Sequence, residues 1–418
     1  MTTPSGYLAF LALAGALSTS LAGQGVTADW PQFRGPNRDG IAVSFTEPKA
    51  WPDRLTRVWK VEVGDGYATP ILVGNRIYAF SRQGANEVMR ALDAASGKTI
   101  WQTSYAAPVT VNPAAQAHGP GPKSTPTFAN GRLYSLGMGG IVTAFDAASG
   151  KQLWQKPGGK VLPLYGTAMS PLVDGNLVIV HVGGHNQGAL TAYDAATGDT
   201  KWSWNGDGPS YASPIVADIG GVRQVITFSQ ESLVGVAATD GRLLWRRPYS
   251  TEYTQNIITP LLLGQTLIVA GYQKPTAALR IVRKGEQWTT EEVWENPSAS
   301  FYMANAAVSG DTLFGLSHRN RGQYVLLDVK TGKTLWTGMP RQAENASIVR
   351  TGTIVFALED DADLIVGRVG ASGFQELKRY SIADAATWSA PAISGNRIFV
   401  KDASSVTLWT FPSPARAS

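Results

Sequence analysis

The sequence predicts an all-β fold: an eight-bladed β-propeller with four-stranded antiparallel blades, whose ring is closed by an N-terminal outer strand. Three observations predict it. A motif recurs eight times along the 418-residue chain, about every 46 residues, which suits one propeller blade. The 45 glycines and 24 prolines are spread evenly between short runs of β-branched and aromatic residues, as turns between strands require. A further strand-like segment, residues 58–63, precedes the first copy and has no partner within it.

Most copies open on a Ser/Thr-Pro pair and close on the pattern Ala-x-Asp-x-x-Ser/Thr-Gly-Lys-x-x-Trp or a partial form of it; the full pattern is seen at residues 91–101 and 144–154. The glycine of this pattern provides the positive φ of a tight turn. The positions equivalent to the opening proline are Pro70, Pro126, Pro171, Pro214, Pro260, Ala306, Ile348 and Pro391. A parallel β-helix or a stack of separate sandwiches is the competing architecture. Units of this length are too long for one β-helix coil, and no linker separates sandwiches, so the propeller is favoured.

Ring closure can also be predicted. The last copy contains three strands, near residues 389–393, 396–401 and 405–410, and residues 58–63 match the missing outer strand. Pairing the two ends would remove the exposed sheet edges. The recurring tryptophans are expected to pack between neighbouring blades, where each indole N–H needs an acceptor. These blade-docking tryptophans are Trp59, Trp101, Trp154, Trp202, Trp245, Trp294 and Trp336.

The chain divides into four expected segments. Residues 1–28 carry no charged side chain and form a predicted signal peptide, cleaved after residue 22 or 28. Residues 29–56 form an N-terminal extension, residues 57–411 the single propeller, and residues 412–418 a C-terminal tail. A membrane anchor is the alternative to cleavage. We expect a periplasmic or secreted, monomeric protein.

Composition excludes several functions. The sequence contains no cysteine, which rules out disulfides, thiolate metal sites, a catalytic thiol and a lipid-bearing cysteine. The net charge of +5 comes from scattered residues, whereas nucleic-acid-binding proteins concentrate such charge on one face. Nucleic acid is therefore not an expected partner.

The repeat pattern resembles the tryptophan-docking repeat of the PQQ-like (quinoprotein-like) eight-bladed propellers. Residues 29–37, Asp-Trp-Pro-Gln-Phe-Arg-Gly-Pro-Asn, resemble the start of exported bacterial members. This resemblance implies one of two kinds of protein. Quinoprotein dehydrogenases oxidise alcohols or sugars with PQQ and calcium, and other members resemble the propeller of the outer-membrane protein assembly machinery, which binds partners without catalysis.

The sequence departs from the dehydrogenase kind. It lacks the adjacent cysteine pair that those enzymes typically carry, and it has little beyond its eight units. Calcium needs several oxygen ligands, usually including carboxylates. Near the inner strands the sequence offers the amides Asn256, Asn305 and Asn345 and the acid Glu344, which do not reproduce the acidic ligand set that the resemblance implies. No cofactor is assigned, although PQQ with calcium is possible.

The segments before the opening Ser/Thr-Pro pairs should meet at one mouth of the central channel. They carry aromatic, amide and charged side chains, which suit a sugar, a quinone or a peptide. The bland alternative is that the aromatic side chains simply fill the channel. The candidate ligand-binding residues are Tyr67, His118, Lys123, Tyr165, Tyr211, Tyr253, Asn256, Tyr302, Asn305, Glu344 and Trp388.

No catalytic residue and no metal site can be assigned from spacing. His181 and His185 are four residues apart, but the surrounding pattern is a strand and a turn, so helical spacing of metal ligands does not apply. A turn-stabilising or surface role is expected for both. We therefore predict a non-catalytic binding or scaffold module that uses the channel mouth and blade loops to bind a periplasmic or extracellular protein or small ligand. A PQQ-dependent dehydrogenase and a carbohydrate-binding propeller are the alternatives.

Overall fold

A computed structural model describes residue 1, residues 28–370 and residues 372–411. Most of the predicted signal peptide and the C-terminal tail lie outside the described residues. The described chain forms 32 strands arranged in eight four-stranded antiparallel sheets. The eight-bladed propeller prediction is confirmed. Among the described residues, no helix has the length and apolar character needed to cross a membrane.

The strands are numbered in chain order. The first strand and blades 1 to 4 are β1 (Thr56–Glu62), β2 (Ile71–Val73), β3 (Arg76–Gln83), β4 (Asn86–Asp93), β5 (Thr99–Ala106), β6 (Thr127–Ala129), β7 (Arg132–Leu136), β8 (Val142–Asp146), β9 (Gln152–Lys156), β10 (Leu172–Asp174), β11 (Leu177–Gly184), β12 (Gln187–Asp194), β13 (Thr200–Trp204), β14 (Ile215–Ile219), β15 (Val222–Phe228), β16 (Ser232–Ala237) and β17 (Leu243–Pro248).

Blades 5 to 8 follow the same order. Their strands are β18 (Leu261–Leu263), β19 (Thr266–Val269), β20 (Thr276–Lys284), β21 (Gln287–Asn296), β22 (Ala307–Ser309), β23 (Thr312–Ser317), β24 (Gln323–Asp328), β25 (Thr334–Thr337), β26 (Ala346–Thr351), β27 (Ile354–Glu359), β28 (Asp363–Gly370), β29 (Gly373–Ser381), β30 (Ala392–Ser394), β31 (Arg397–Lys401) and β32 (Ser405–Thr410). Three short 3-10 helices, Pro113–His118, Glu252–Thr254 and Arg319–Arg321, lie in the connections.

The ring closes as the sequence predicts. β1 pairs antiparallel with β32, from Thr56 opposite Thr410 to Glu62 opposite Ser405. Blade 8 therefore has the order β1-β32-β31-β30 and combines strands from both ends of the chain. First strands of neighbouring blades contact one another beside the central channel, as β2 does with β6, β6 with β10, and β22 with β26.

The two faces of the ring follow from this topology. The connection into each blade and the hairpin between its second and third strands lie on one face, which we call the mouth face. The other two hairpins of each blade lie on the opposite face. The hydrophobic core lies between adjacent blades: Tyr78 and Met89 of blade 1, for example, share a buried cluster with Leu133 and Phe145 of blade 2.

Most of the recurring tryptophans link one blade to the next through their indole N–H. Five of them donate to a backbone oxygen of the following blade, at 2.9–3.2 Å: Trp59 to Ala94, Trp101 to Ala147, Trp154 to Ala195, Trp202 to Ala238 and Trp294 to Val329. Trp245 differs, since its Nε1 donates to the side chain of Gln224 in its own blade. Trp336 packs beside Phe374, with ring centroids 5.9 Å apart.

The glycine of the repeat has two roles. Gly97 and Gly198 have φ values of 71° and 78°, which glycine adopts without steric cost. A Cβ added at Gly97 would also lie 2.8 Å from the ring of Trp59, and one at Gly198 would lie 2.8 Å from the ring of Trp154. The glycine therefore leaves room for the tryptophan of the preceding blade.

The Ser/Thr-Pro pairs of blades 1 to 5 are joined by a series of hydrogen bonds along the channel. In blades 1 to 4 the backbone N–H of the Ser/Thr donates to the Ser/Thr hydroxyl of the next blade. The series runs from Thr69 to Thr125, Ser170, Ser213 and Thr259, at 2.9–3.3 Å. The Ser/Thr-Pro pairs therefore join blades 1 to 5 at their inner edges, as the recurring tryptophans join blades at the periphery.

The first part of the N-terminal extension loops into the channel from the opposite face. Trp30 forms a bridge with Leu72 in blade 1, and Ile41 forms one with Arg350 in blade 7. On the opposite face, the Asp29 carboxylate accepts a hydrogen bond from the N–H of Gly74, and the Ser44 hydroxyl accepts one from Gly395. The segment from Asp29 to Ser44 thus enters and leaves on the opposite face, and we call it the plug.

Two buried arginines hold the plug in place. Arg34 donates through Nη2 to the backbone oxygen of Ala306 in blade 6, at 2.8 Å. Arg38 donates through Nη1 to the backbone oxygen of Pro171, at 3.0 Å. In both cases the acceptor is a backbone oxygen at the inner edge of a blade. These hydrogen bonds therefore do not depend on the side chains of Ala306 and Pro171.

Candidate functional site

The channel contains a cavity of about 400 Å³ above the plug. Phe33, Arg34 and Gly40 of the plug line it, together with residues from the connections on the mouth face. Because the plug closes the opposite end, the cavity opens at the mouth face. Its size lies within the range of small-molecule sites, about 300–1,000 Å³.

Most of the candidate ligand-binding residues line this cavity. Each stands just before the first strand of its blade, so the circular arrangement of the blades directs them toward one axis. The lining candidates are Tyr67, His118, Lys123, Tyr165, Tyr211, Tyr302, Asn305 and Trp388. They come from blades 1, 2, 3, 4, 6 and 8. Their binding of a ligand stays a prediction.

Three other candidates lie elsewhere. Asn256 is fully buried, and its Nδ2 donates to the backbone oxygens of Ser229 and Tyr249. This amide supports the connection into blade 5. Tyr253 is 59% exposed in a 3-10 turn, and Glu344 is an exposed surface residue. Neither Tyr253 nor Glu344 lines the cavity.

Aromatic rings form two walls of the cavity. On one side, the His118 ring meets Trp388 edge-on at 4.6 Å between centroids, and Tyr67 lies 6.2 Å from His118. On another side, Tyr165 and Tyr211 lie 5.7 Å apart, and the Tyr211 hydroxyl accepts a hydrogen bond from the backbone N–H of Tyr165. Burial raises the pKa of Tyr211 to about 12, so this phenol stays neutral.

A third aromatic group extends from the cavity to the mouth face. Tyr302 packs against Tyr272 and His318, with centroid distances of 4.7 Å and 5.0 Å. Burial raises the pKa of Tyr302 and lowers that of His318. The aromatic surface is therefore continuous from the cavity wall to the loops of blades 5 and 6.

The charged groups in the cavity are basic. Lys123 donates through Nζ to the backbone oxygen of Tyr165 at 3.0 Å, and burial lowers its pKa to about 8. Burial and the nearby Lys123 lower the pKa of His118. Arg34 adds a guanidinium from the plug. Among the described residues, no aspartate or glutamate lines the cavity.

Sequence reasoning missed the plug residues Phe33 and Arg34, as well as Gln255 and Met303. Gln255 directly precedes the buried Asn256, and its Nε2 donates to the Tyr165 hydroxyl at 3.0 Å. The two adjacent polar amides, Gln255 and Asn256, could have indicated that one of them lines the cavity. Which of the two does so depends on the loop conformation, which the sequence pattern does not specify. Nothing in the repeat pattern indicates Phe33 or Arg34, because the extension lies outside the repeat.

His181 requires a correction. It lies on β11 and is fully buried, so a surface role is wrong for this residue. Its Nε2 lies 3.1 Å from the backbone oxygen of Asp207, which can only accept, so Nε2 carries the proton. Burial lowers the pKa of His181 to about 4. His185 is exposed.

The residues present do not fit a calcium-bound quinone. The cavity offers the Asn305 amide, but Asn256 and Glu344 do not line it, and calcium sites usually include carboxylates. An acidic group elsewhere, formed by Glu359, Asp361 and Asp363, is already partly neutralised, since Arg379 pairs with both Glu359 and Asp363. No step of quinone chemistry is derived from this cavity.

Comparison with known proteins extends the sequence resemblance. A family model described as "Outer membrane protein assembly factor BamB" matches residues 84–338. The chain is 24% identical to the outer membrane protein assembly factor BamB of Yersinia pestis over 378 residues, which covers 85% of this chain and 88% of the relative.

Two solved structures share the fold. BamB from Moraxella catarrhalis matches with a TM-score of 0.63 and 18% identity, over 87% of this chain and 99% of that one. A quinohemoprotein alcohol dehydrogenase from Pseudomonas putida HK5 matches with a TM-score of 0.65 and 15% identity, over 93% of this chain and 81% of that one. At these identities the similarity establishes the fold alone.

Proposed function

Because this chain belongs to the family whose model is described as outer membrane protein assembly factor BamB, we propose that it is a non-catalytic scaffold that binds protein partners in outer-membrane protein assembly. We place it in the periplasm, because the predicted signal peptide would direct the chain there and such partners would be accessible there. The family match spans more than half of the chain, whereas quinone-dependent alcohol dehydrogenases match its sequence over only about a third of it, as in the 33% identity over 144 residues to the enzyme of Acetobacter aceti.

The observation that carries this proposal is the exposure of large apolar side chains on the mouth face. Val161, Tyr253, Met303 and Met339 lie in connections between blades, and their exposed fractions range from 36% to 75%. Exposed apolar side chains that lie together near polar neighbours are typical of protein interaction sites. Methionine suits such a surface because its flexible side chain adapts to different partners.

The opposite face is different. Its repeat turns carry polar side chains, as at the half-buried Asp93 and the exposed Ser96 and Lys98, where the Asp93 carboxylate accepts hydrogen bonds from Ser96. A second set of exposed apolar side chains, including Ile100 and Leu335, lies on the outer strands. The proposal assigns partner binding to the mouth face, where Met303 of the exposed apolar set also lines the cavity.

Site-specific photocrosslinking tests this assignment. A photoreactive phenylalanine analogue replaces Met339 on the mouth face or, as the matched control, Lys98 on the opposite face. In cells that export the full chain, we expect adducts with other envelope proteins from position 339 and not from position 98. Adducts from position 98 alone, or from neither position, would contradict a mouth-face partner.

The dehydrogenase alternative needs a separate assay. Purified protein is incubated with PQQ and calcium, then with alcohols or sugars and an artificial electron acceptor. The absence of carboxylates from the described cavity lining predicts no turnover above the protein-free control. Saturable, protein-dependent turnover would overturn the scaffold proposal. The carbohydrate-binding alternative rests on the aromatic walls alone and stays a prediction.

A further inference from the structure

We propose that the channel cavity binds a carboxylate group carried on an aromatic or other bulky apolar body. This goes beyond the scaffold proposal and does not depend on it, because it rests on the cavity and not on the exposed loops. Three features of the cavity support it: the sign of its charge, its aromatic walls and its closed lower end.

The charge in the cavity has one sign. Lys123 comes from the connection into blade 2 and Arg34 from the plug, and both line the same space. Arg34 uses Nε and Nη2 on backbone oxygens of Arg38, Asp39 and Ala306, and Nη1 has no hydrogen-bond partner within the described residues. With no acidic side chain in the described lining, an anion would meet cationic donors and no opposing carboxylate.

Lys123 is incompletely satisfied. An ammonium group has three donors, and within the described chain Nζ makes one hydrogen bond, to Tyr165. Partial burial without a counter-charge lowers its pKa, since a low-dielectric environment disfavours the charged form. A bound carboxylate would provide both the missing acceptor and the missing negative charge.

The walls determine what carries the carboxylate. Tyr165, Tyr211, Tyr302 and Trp388 present ring surfaces around the space, and such surfaces bind flat or bulky apolar groups. Phosphate or sulfate alone would leave these walls uncovered. The combination of two cationic groups with aromatic walls therefore selects an organic acid with an apolar body.

The closed lower end restricts how the ligand enters. Phe33, Arg34 and Gly40 of the plug form the floor, so a polypeptide cannot pass through the channel and can insert only an end. A C-terminus carries the required carboxylate, whereas an N-terminal ammonium would meet like charges. The ligand is therefore either a small aromatic acid or the C-terminus of a chain that ends in an aromatic residue.

Calorimetric titration of the purified mature chain distinguishes these sources. N-acetylphenylalanine represents a chain end, naphthalene-2-carboxylate represents a small aromatic acid, and N-acetylphenylalanine amide is the uncharged control. We expect at least one acid to bind at least about tenfold more tightly than the amide, because only the acid can pair with the cationic groups. Tighter binding of the first acid favours a chain end, and tighter binding of the second favours a small molecule.

Variants connect the binding to this cavity. Lys123→Gln should weaken binding of the preferred acid by about tenfold or more, and Lys123→Arg should restore part of it by keeping the charge. Lys98→Gln, an exposed change on the opposite face, should have no effect. Circular dichroism and the unfolding temperature establish that the variants are folded.

Two results would overturn the inference. One is that the acids and the amide bind equally, or that none binds at millimolar concentration. The other is that Lys123→Gln and Lys98→Gln bind the acid as tightly as the unmodified chain. The photocrosslink from position 339 is measured independently, so a failure of the carboxylate site leaves the scaffold proposal open to its own test.

Discussion

Gly198 of blade 3 lies against the indole ring of Trp154 of blade 2, so close that a Cβ added to Gly198 would stand 2.8 Å from Cδ2 of Trp154. The same tryptophan donates through Nε1 to the backbone oxygen of Ala195, three residues before that glycine, at 3.1 Å. The Ala-x-Asp-x-x-Thr-Gly part of the repeat in one blade is thus the receptor for the tryptophan of the blade before it.

Replacing Gly198 by alanine should destabilise the protein more than the same change at Gly221. Their φ values are 78° and 77°, so the backbone cost of about 1–2 kcal/mol is shared. Space around Gly221 is open within 4 Å, whereas Gly198→Ala must displace Trp154 at an additional cost of about 1–3 kcal/mol. Urea unfolding of both variants measures the difference. Equal losses would show that the blade interface does not require the missing Cβ.

Removing a buried serine hydroxyl beside the inner strands should be costly only where that hydroxyl accepts a hydrogen bond. Ser213 Oγ accepts a hydrogen bond from the buried N–H of Ser170 at 2.9 Å, so Ser213→Ala should cost about 1–2 kcal/mol. Ser124 is also buried, but its hydroxyl has no partner within the described residues. Ser124→Ala should change the free energy of unfolding by less than about 0.5 kcal/mol. Unfolding midpoints that rank the two variants in the reverse order would contradict this assignment.

Acid should destabilise the protein through His181. Burial lowers its pKa from 6.5 to about 4. Between these values the unfolded chain binds more protons than the folded one, so the free energy of unfolding falls as the pH decreases from 6.5 toward 4 and is unaffected above 6.5. The full loss is about 3 kcal/mol.

Substitution isolates that contribution. His181→Gln should reduce the acid-induced loss measured by unfolding at pH 6.5 and pH 4, whatever its effect on stability at neutral pH. The exposed His185 provides the control, and His185→Gln should leave the loss unchanged. An unaltered pH dependence in His181→Gln would exclude His181 as its source.

Arg38 should determine whether the plug stays in the channel. Its guanidinium donates to the side chain of Gln32 and to the backbone oxygens of Ser170 and Pro171. Arg38→Met leaves these buried acceptors unpaired, at a cost of about 2–4 kcal/mol, and should make Arg34 accessible to trypsin. Limited proteolysis with peptide mapping measures cleavage after Arg34, with the exposed Arg54→Met as control. Cleavage at the rate of the control would mean that other contacts hold the plug.

The fold could be predicted because its determinants repeat. Trp101, Gly150 and the Ser/Thr-Pro pairs recur in a fixed order, and residues 58–63 complete the last blade by the same pattern. The site could be predicted only in part. Tyr211 and Trp388 were correctly placed at the cavity because each lies just before the first strand of its blade. The circular arrangement of the blades brings such positions together around the channel.

The rest depended on conformations that no repeat specifies. Asn256 and Asn305 both precede inner strands, yet the local turn directs Asn256 into the protein and Asn305 toward the cavity. Arg34 occupies the cavity because a non-repeating segment folds back into the channel. Periodicity carries no information about either event.

The pairing of β1 with β32 also sets the order of events during biogenesis. Residues 56–62 pair only with residues 405–410. The first strand therefore has no partner until nearly all of the chain has been synthesised. Under the proposed export to the periplasm, the chain would cross the membrane unfolded, and late closure would keep the ring open during that passage. A product terminated before residue 405 would lack β32, so that β1 and β31 would each have an unpaired strand edge. Proteases and chaperones of protein quality control can recognise such edges.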